Sequence, residues 1–113
     1  MKTFSDVLEC YEEIGKWLME GVPAPWSHIV IEFEIIEIDD VSEYWIEYTP
    51  QRSPAKKKQF FINDTNFDDC FFQLAKLTST AEKGFFRKCR FELDQDGSYN
   101  ASFQYGSEEA EPE

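Results

Sequence analysis

The segment KCRFELDQDGSYNASFQY (88–105) decides the fold. Cys89, Phe91 and Leu93 alternate with Lys88, Arg90 and Glu92, and Tyr99, Ala101, Phe103 and Tyr105 alternate with Asn100, Ser102 and Gln104. A period of two puts successive side chains on opposite faces of a strand. Asp96-Gly97 supplies the turn, because glycine accepts the positive φ that a tight hairpin needs. This is an antiparallel hairpin with one apolar and one polar face, so the chain contains a sheet covered on one side.

The same reading extends upstream. Residues 28–38 are rich in β-branched side chains and alternate, with Ile29, Ile31, Phe33 and Ile35 on one face and Val30, Glu32, Glu34 and Ile36 on the other. Asp39-Asp40 breaks this strand. Residues 43–49 form the next strand, with Tyr44, Ile46 and Tyr48 inward and Glu43, Trp45 and Glu47 outward, and residues 57–62 form a short third strand. Two amphipathic helices complete the set. Over residues 4–20, Phe4, Val7, Leu8, Tyr11, Ile14 and Leu18 recur at helical spacing, with Thr3 or Ser5 as cap and Gly21, Pro23 and Pro25 as terminators. Over residues 66–83, Phe67, Phe71, Leu74 and Ala81 share a face, Asn63, Asp64 or Asn66 supplies the cap, and Gly84 the stop. The expected order is αβββαββ: a two-layer α+β sandwich, with a five-stranded antiparallel sheet and both helices on one face. One domain is expected over residues 1–106, followed by an acidic disordered tail at 107–113.

Charge narrows the function. The chain has 23 acidic residues against 11 basic ones, a formal net charge of -12. Residues 1–50 hold 12 of the acids and only two bases, whereas 51–107 hold seven acids and nine bases. Such a chain is repelled by nucleic acid and by anionic membranes and attracted to a basic partner. No stretch approaches membrane-spanning length. The acidic residues in the first 20 positions do not fit a secretory signal, and the odd set Cys10, Cys70 and Cys89 reads as reduced core thiols, so a cytoplasmic location is expected.

Chemistry-bearing motifs are sparse. The single histidine, His28, has no cysteine or aspartate at ligand spacing, so no metal site is expected. No nucleophile elbow and no glycine-rich phosphate loop is visible. Asp94-Gln95-Asp96-Gly97 resembles the start of a calcium loop but lacks the downstream glutamate, and a hairpin turn accounts for it. Lys56-Lys57-Lys58 reads as a solvated loop or a guard on a sheet edge. No catalytic residue, cofactor or metal is assigned. The candidate partner-binding set is Glu32, Glu34, Asp39, Asp40, Glu43, Trp45 and Glu47: an aromatic anchor among carboxylates that guide a cationic partner. The competing reading is the solvated face of an ordinary sheet.

The chain also resembles the YezG-like family of bacterial immunity proteins. The resemblance rests on Pro25-Trp26, on Ile31 to Glu34 (IEFE), on EYWIEYTP at 43–50, on Phe67-Asp68-Asp69, and on the closing hairpin from Phe91 to Tyr105. It departs from the family at Phe85 to Lys88, where members often carry a tryptophan. The resemblance implies an antitoxin that binds and neutralises a cognate secreted toxin domain, a nuclease with RNase favoured. It carries over no contact residues, and homodimerisation stays open. An acidic chaperone of the type III secretion kind, holding an extended effector segment, is the alternative from another class.

Overall fold

The protein is described here by a computed structural model that covers residues 4–105. Seven elements follow the order αβββαββ: α1 (Val7–Gly21), β1 (Trp26–Glu37), β2 (Val41–Pro50), β3 (Lys58–Phe60), α2 (Thr65–Thr78), β4 (Phe86–Asp94) and β5 (Tyr99–Tyr105). The strands form one antiparallel sheet in the order β3-β2-β1-β4-β5, so the longest strand is the central one. The expected α+β architecture is therefore the observed one. The expected tail at 107–113 lies outside the described residues.

Both helices cover the same face. Ile29, Ile31, Phe33 and Ile35 of β1 point into the core with Ile46 and Tyr48 of β2 and Cys89, Phe91 and Leu93 of β4. Phe71 of α2 stacks on Phe33 with ring centroids 4.2 Å apart, and Phe67 meets Tyr44 edge-on. From α1, Tyr11 packs on Phe91 and Tyr99, whereas a Cβ on Gly21 would stand 3.2 Å from the ring of Phe60 in β3. The helix thus runs across the strands, from the β4–β5 side to the β3 edge. Burial of a Phe or Ile side chain contributes roughly 1.5–3 kcal/mol, so this interleaved aromatic layer dominates the stability of the fold.

Helix boundaries differ from the expectation at several points. α1 starts at Val7, not residue 4, because Asp6 is the cap: its Oδ1 accepts from the Glu9 amide at 3.0 Å. Glu9 returns the favour to the preceding residue by accepting from the backbone N–H and hydroxyl of Ser5, a variant of the capping box. Leu8, expected inside, is 54% exposed, while Cys10 takes the buried position. α2 stops at Thr78. The Thr78 hydroxyl donates to the carbonyl of Leu74, and Ser79 is extended, as expected of β-branched and hydroxyl residues that compete with helix bonding. Ala81 is consequently exposed and outside the helix. Gly84, at φ 69°, closes a separate turn through its N–H to the Thr80 carbonyl and does not end α2. Asp64 is the α2 cap, accepting from the Asn66 amide.

The closing hairpin turns at Asp96-Gly97, as the sequence predicts. Gly97 at φ 92° donates to the Asp94 carbonyl, Asp94 donates to the Ser98 carbonyl, and Asp96 accepts from the Ser98 amide and hydroxyl. The three cysteines are unpaired and buried, and burial pushes Cys10 up to about 11 and Cys70 and Cys89 up to about 12. Thiols so far from ionising are inert packing residues.

Candidate functional site

The face of the sheet away from the helices carries the outward residues of each strand. On β1 and β2 the register sets Glu32 opposite Trp45, Glu34 opposite Glu43 and Val30 opposite Glu47. On the other side of β1, the same three residues face Arg90, Lys88 and Glu92 of β4. Trp45 is thus flanked along its own strand by Glu43 and Glu47 and across the ladder by Glu32. Its indole is 41% exposed. It borders two shallow depressions: one of about 210 Å³ shared with Glu32, Glu34, Glu43 and Lys88, and one of about 300 Å³ shared with Gln59, Phe60 and Phe61. Phe61 is the most exposed aromatic of the described residues at 64%. Sequence reading did not single it out, because its accessibility depends on the early end of β3, only three residues long.

The face divides electrostatically along β1. On the β4 side the carboxylates are held by the chain's own cations. Arg90 donates from Nη1 to Glu32 at 2.7 Å and from Nε to Glu92 at 2.8 Å. These bonds hold the Glu92 carboxyl below the usual glutamate range and raise the Arg90 guanidinium further. His28 extends the chain of contacts, with Nδ1 2.7 Å from Asp94 and Nε2 3.4 Å from Glu92. Arg87 lies 3.8 Å from Glu34. On the β2 side, Glu43 and Glu47 have no ion-pair partner among the described residues, and Trp45 stands between them.

Two members of the expected set are elsewhere. Asp39 and Asp40 form the β1–β2 turn, with Asp39 at φ 64° and the Asp40 amide donating to the Glu37 carbonyl. Aspartate tolerates this left-handed conformation better than most residues. They line a depression with Asp68, Asp69, Phe72 and Lys76 of α2, on the helix side of the sheet. Asp39 is bound to Lys76 Nζ at 2.6 Å. Beside them Ser42 donates to Asp68, whose carboxyl burial pushes up. The seven residues are therefore not one surface. Glu32, Glu34, Glu43, Trp45 and Glu47 share the outer face, and Asp39 and Asp40 face α2.

The outer face also has a mark of surfaces not arranged for stability alone. Glu34 and Glu43 are direct cross-strand partners, and like charges so placed destabilise a sheet by roughly 0.2–1 kcal/mol. Val30, an outward position, is nonetheless buried. Its register neighbours Glu47 and Glu92 have aliphatic stems long enough to cover it, so the carboxylates stand on a small apolar floor.

Among the described residues no group of three or more His, Cys, Asp or Glu is arranged to hold a metal ion, and no helix is long and apolar enough to cross a membrane. The chain matches no protein-family model and no curated protein.

Proposed function

We propose that this chain is an immunity protein, acting in the cytoplasm of its bacterium to neutralise a cognate basic toxin domain of the nuclease class, an RNase in the first instance. The observation that carries the proposal is the half-exposed Trp45 between Glu43 and Glu47, neither of which has an ion-pair partner among the described residues. A large aromatic that can be desolvated, ringed by charge of one sign, has the composition of a binding hot spot with electrostatic guidance. A nuclease cleft is lined by cations that hold phosphates, and a patch of carboxylates competes for the same cations. Inhibition then needs no chemistry from this chain: Trp45 seats on apolar surface, and Glu43 and Glu47 occupy phosphate-binding positions. Glu32 and Glu34, already engaged with Arg90 and Arg87, border the contact.

The direct test is to co-express the chain with a basic domain encoded beside its gene, purify the pair, and assay RNA and DNA cleavage with and without the chain. The proposal predicts a stoichiometric complex and loss of cleavage. A basic neighbour that neither binds nor is inhibited overturns it.

A further inference from the structure

The two edges of the sheet are built differently, and the difference points to self-association. β3 is an edge of three residues that begins with Lys58 after Lys56 and Lys57. Short length and lysines are the usual devices by which proteins keep an edge from pairing with another chain. β5, the opposite edge, is seven residues long and has no charged residue, no proline and no bulge within it. It is an open, neutral edge on a chain of net charge -12.

The backbone groups that β5 leaves free follow from the hairpin. Asp94 donates to the Ser98 carbonyl, and hydrogen-bonded and non-bonded pairs alternate along an antiparallel ladder. In the observed register, Asn100, Ser102 and Gln104 therefore bond toward Glu92, Arg90 and Lys88 of β4. Tyr99, Ala101, Phe103 and Tyr105 aim their N–H and C=O groups at the open side, and among the described residues none of those groups has a hydrogen-bond partner.

We propose that two copies of the chain pair through β5, antiparallel about a two-fold axis at Ser102, to form one continuous ten-stranded sheet. The side chains of β5 are self-complementary in this register. Tyr99 meets Tyr105 of the second copy and Ala101 meets its Phe103, so two aromatic pairs and two small–large pairs extend the core. On the outer face Asn100 meets Gln104, amide to amide, and Ser102 meets its own copy. Each Tyr99–Tyr105 and Ala101–Phe103 pair exchanges two N–H···O bonds. Both copies keep their helices on the same face. α1 runs from Tyr11 above Tyr99 toward β3, so the helix does not cover the open edge from the β3 side. A two-fold arrangement closes, so it gives a dimer and not a fibre. The occupant is a second copy because this edge is its own complement and carries no acidic side chain to repel a molecule of the same net charge.

The mass of the purified chain, read by sedimentation across micromolar to millimolar concentration at about 0.5 M salt to screen the net charge, tests this. The expected result is twice the chain mass of 13.3 kDa. Ser102→Lys places two ammonium groups face to face at the axis, and should return the protein to single-chain mass. A mixture of Ser102→Lys and Ser102→Glu should recover the doubled mass. Ala101→Pro removes an N–H that the intrachain ladder does not use, and should also give single chains; circular dichroism establishes that each variant is folded. Single-chain mass for the unmodified protein throughout, or a dimer that Ser102→Lys leaves unchanged, overturns the proposal. So does an unmodified protein that stays single and takes up an extended peptide along β5.

Discussion

The two halves of the outer sheet face have the same ingredients and opposite electrostatic states. On the β4 half, Glu32, Glu92 and Asp94 are tied to Arg90 and His28 at 2.7 to 3.4 Å. On the β2 half, Glu43 and Glu47 project beside an exposed tryptophan, with no cation engaged among the described residues. Carboxylates on a sheet are thus not equivalent carriers of potential. What matters is whether the neighbouring strand supplies a guanidinium at the same register position. The β4 half is a surface satisfied within the chain, and the β2 half is the one the proposed function assigns to a partner.

The largest effect belongs to Trp45. Trp45→Ala should weaken binding of the cognate basic domain by about 2 kcal/mol or more, roughly 30-fold, while chemical unfolding shows a stability change within about 0.5 kcal/mol, since the side chain is surface-placed. Isothermal titration and urea denaturation read the two quantities. Next comes Glu43→Lys with Glu47→Lys. Reversing the unpaired charges should slow association at low salt by about tenfold, measured by stopped flow, whereas the same reversal at Glu92 should have a much smaller effect.

Arg90→Ala tests the comparison from the other side. Because the pairs are partly exposed, its loss should cost less than about 1 kcal/mol of stability, and by freeing Glu32 and Glu92 it should raise the association rate a few-fold. The smallest effect is local. Arg90 holds Glu92 below the usual glutamate range, so this contribution to stability is present above that range and is lost as pH falls through the lowered value. In Arg90→Ala the Glu92 carboxyl should titrate closer to an ordinary glutamate, visible in its carbon chemical shift, and acid unfolding should begin at a slightly higher pH.

Much of the fold was legible in the sequence because it depends on local periodicity. The alternation in 88–105 and in 28–37 identified the inward residues of β1, β4 and β5, and Asp96-Gly97 identified the turn. The errors lie where periodicity is weak. Leu8 and Cys10 compete for one helical face, and only packing against the sheet selects the cysteine. Thr78-Ser79-Thr80 ends α2 early through hydroxyl bonds that spacing does not reveal. The site was less legible for a physical reason: its state is set between residues far apart in the chain. Glu32 and Arg90 are separated by 58 positions, so nothing in the run 31–34 says that Glu32 is neutralised and Glu43 is not. Proximity in sequence groups Asp39 and Asp40 with the strands, but the turn carries them to α2 and Lys76.

In the proposed function, recognition rests on Glu43 and Glu47 beside Trp45. The most direct measurement is the ionic-strength dependence of the association rate with the cognate basic domain, compared for the unmodified chain, Glu43→Gln with Glu47→Gln, and Glu32→Gln. The expected rate falls steeply with salt, with a clearly shallower slope in the double variant and an almost unchanged slope in Glu32→Gln. Equal slopes in all three, or a loss confined to Glu32→Gln, would contradict it.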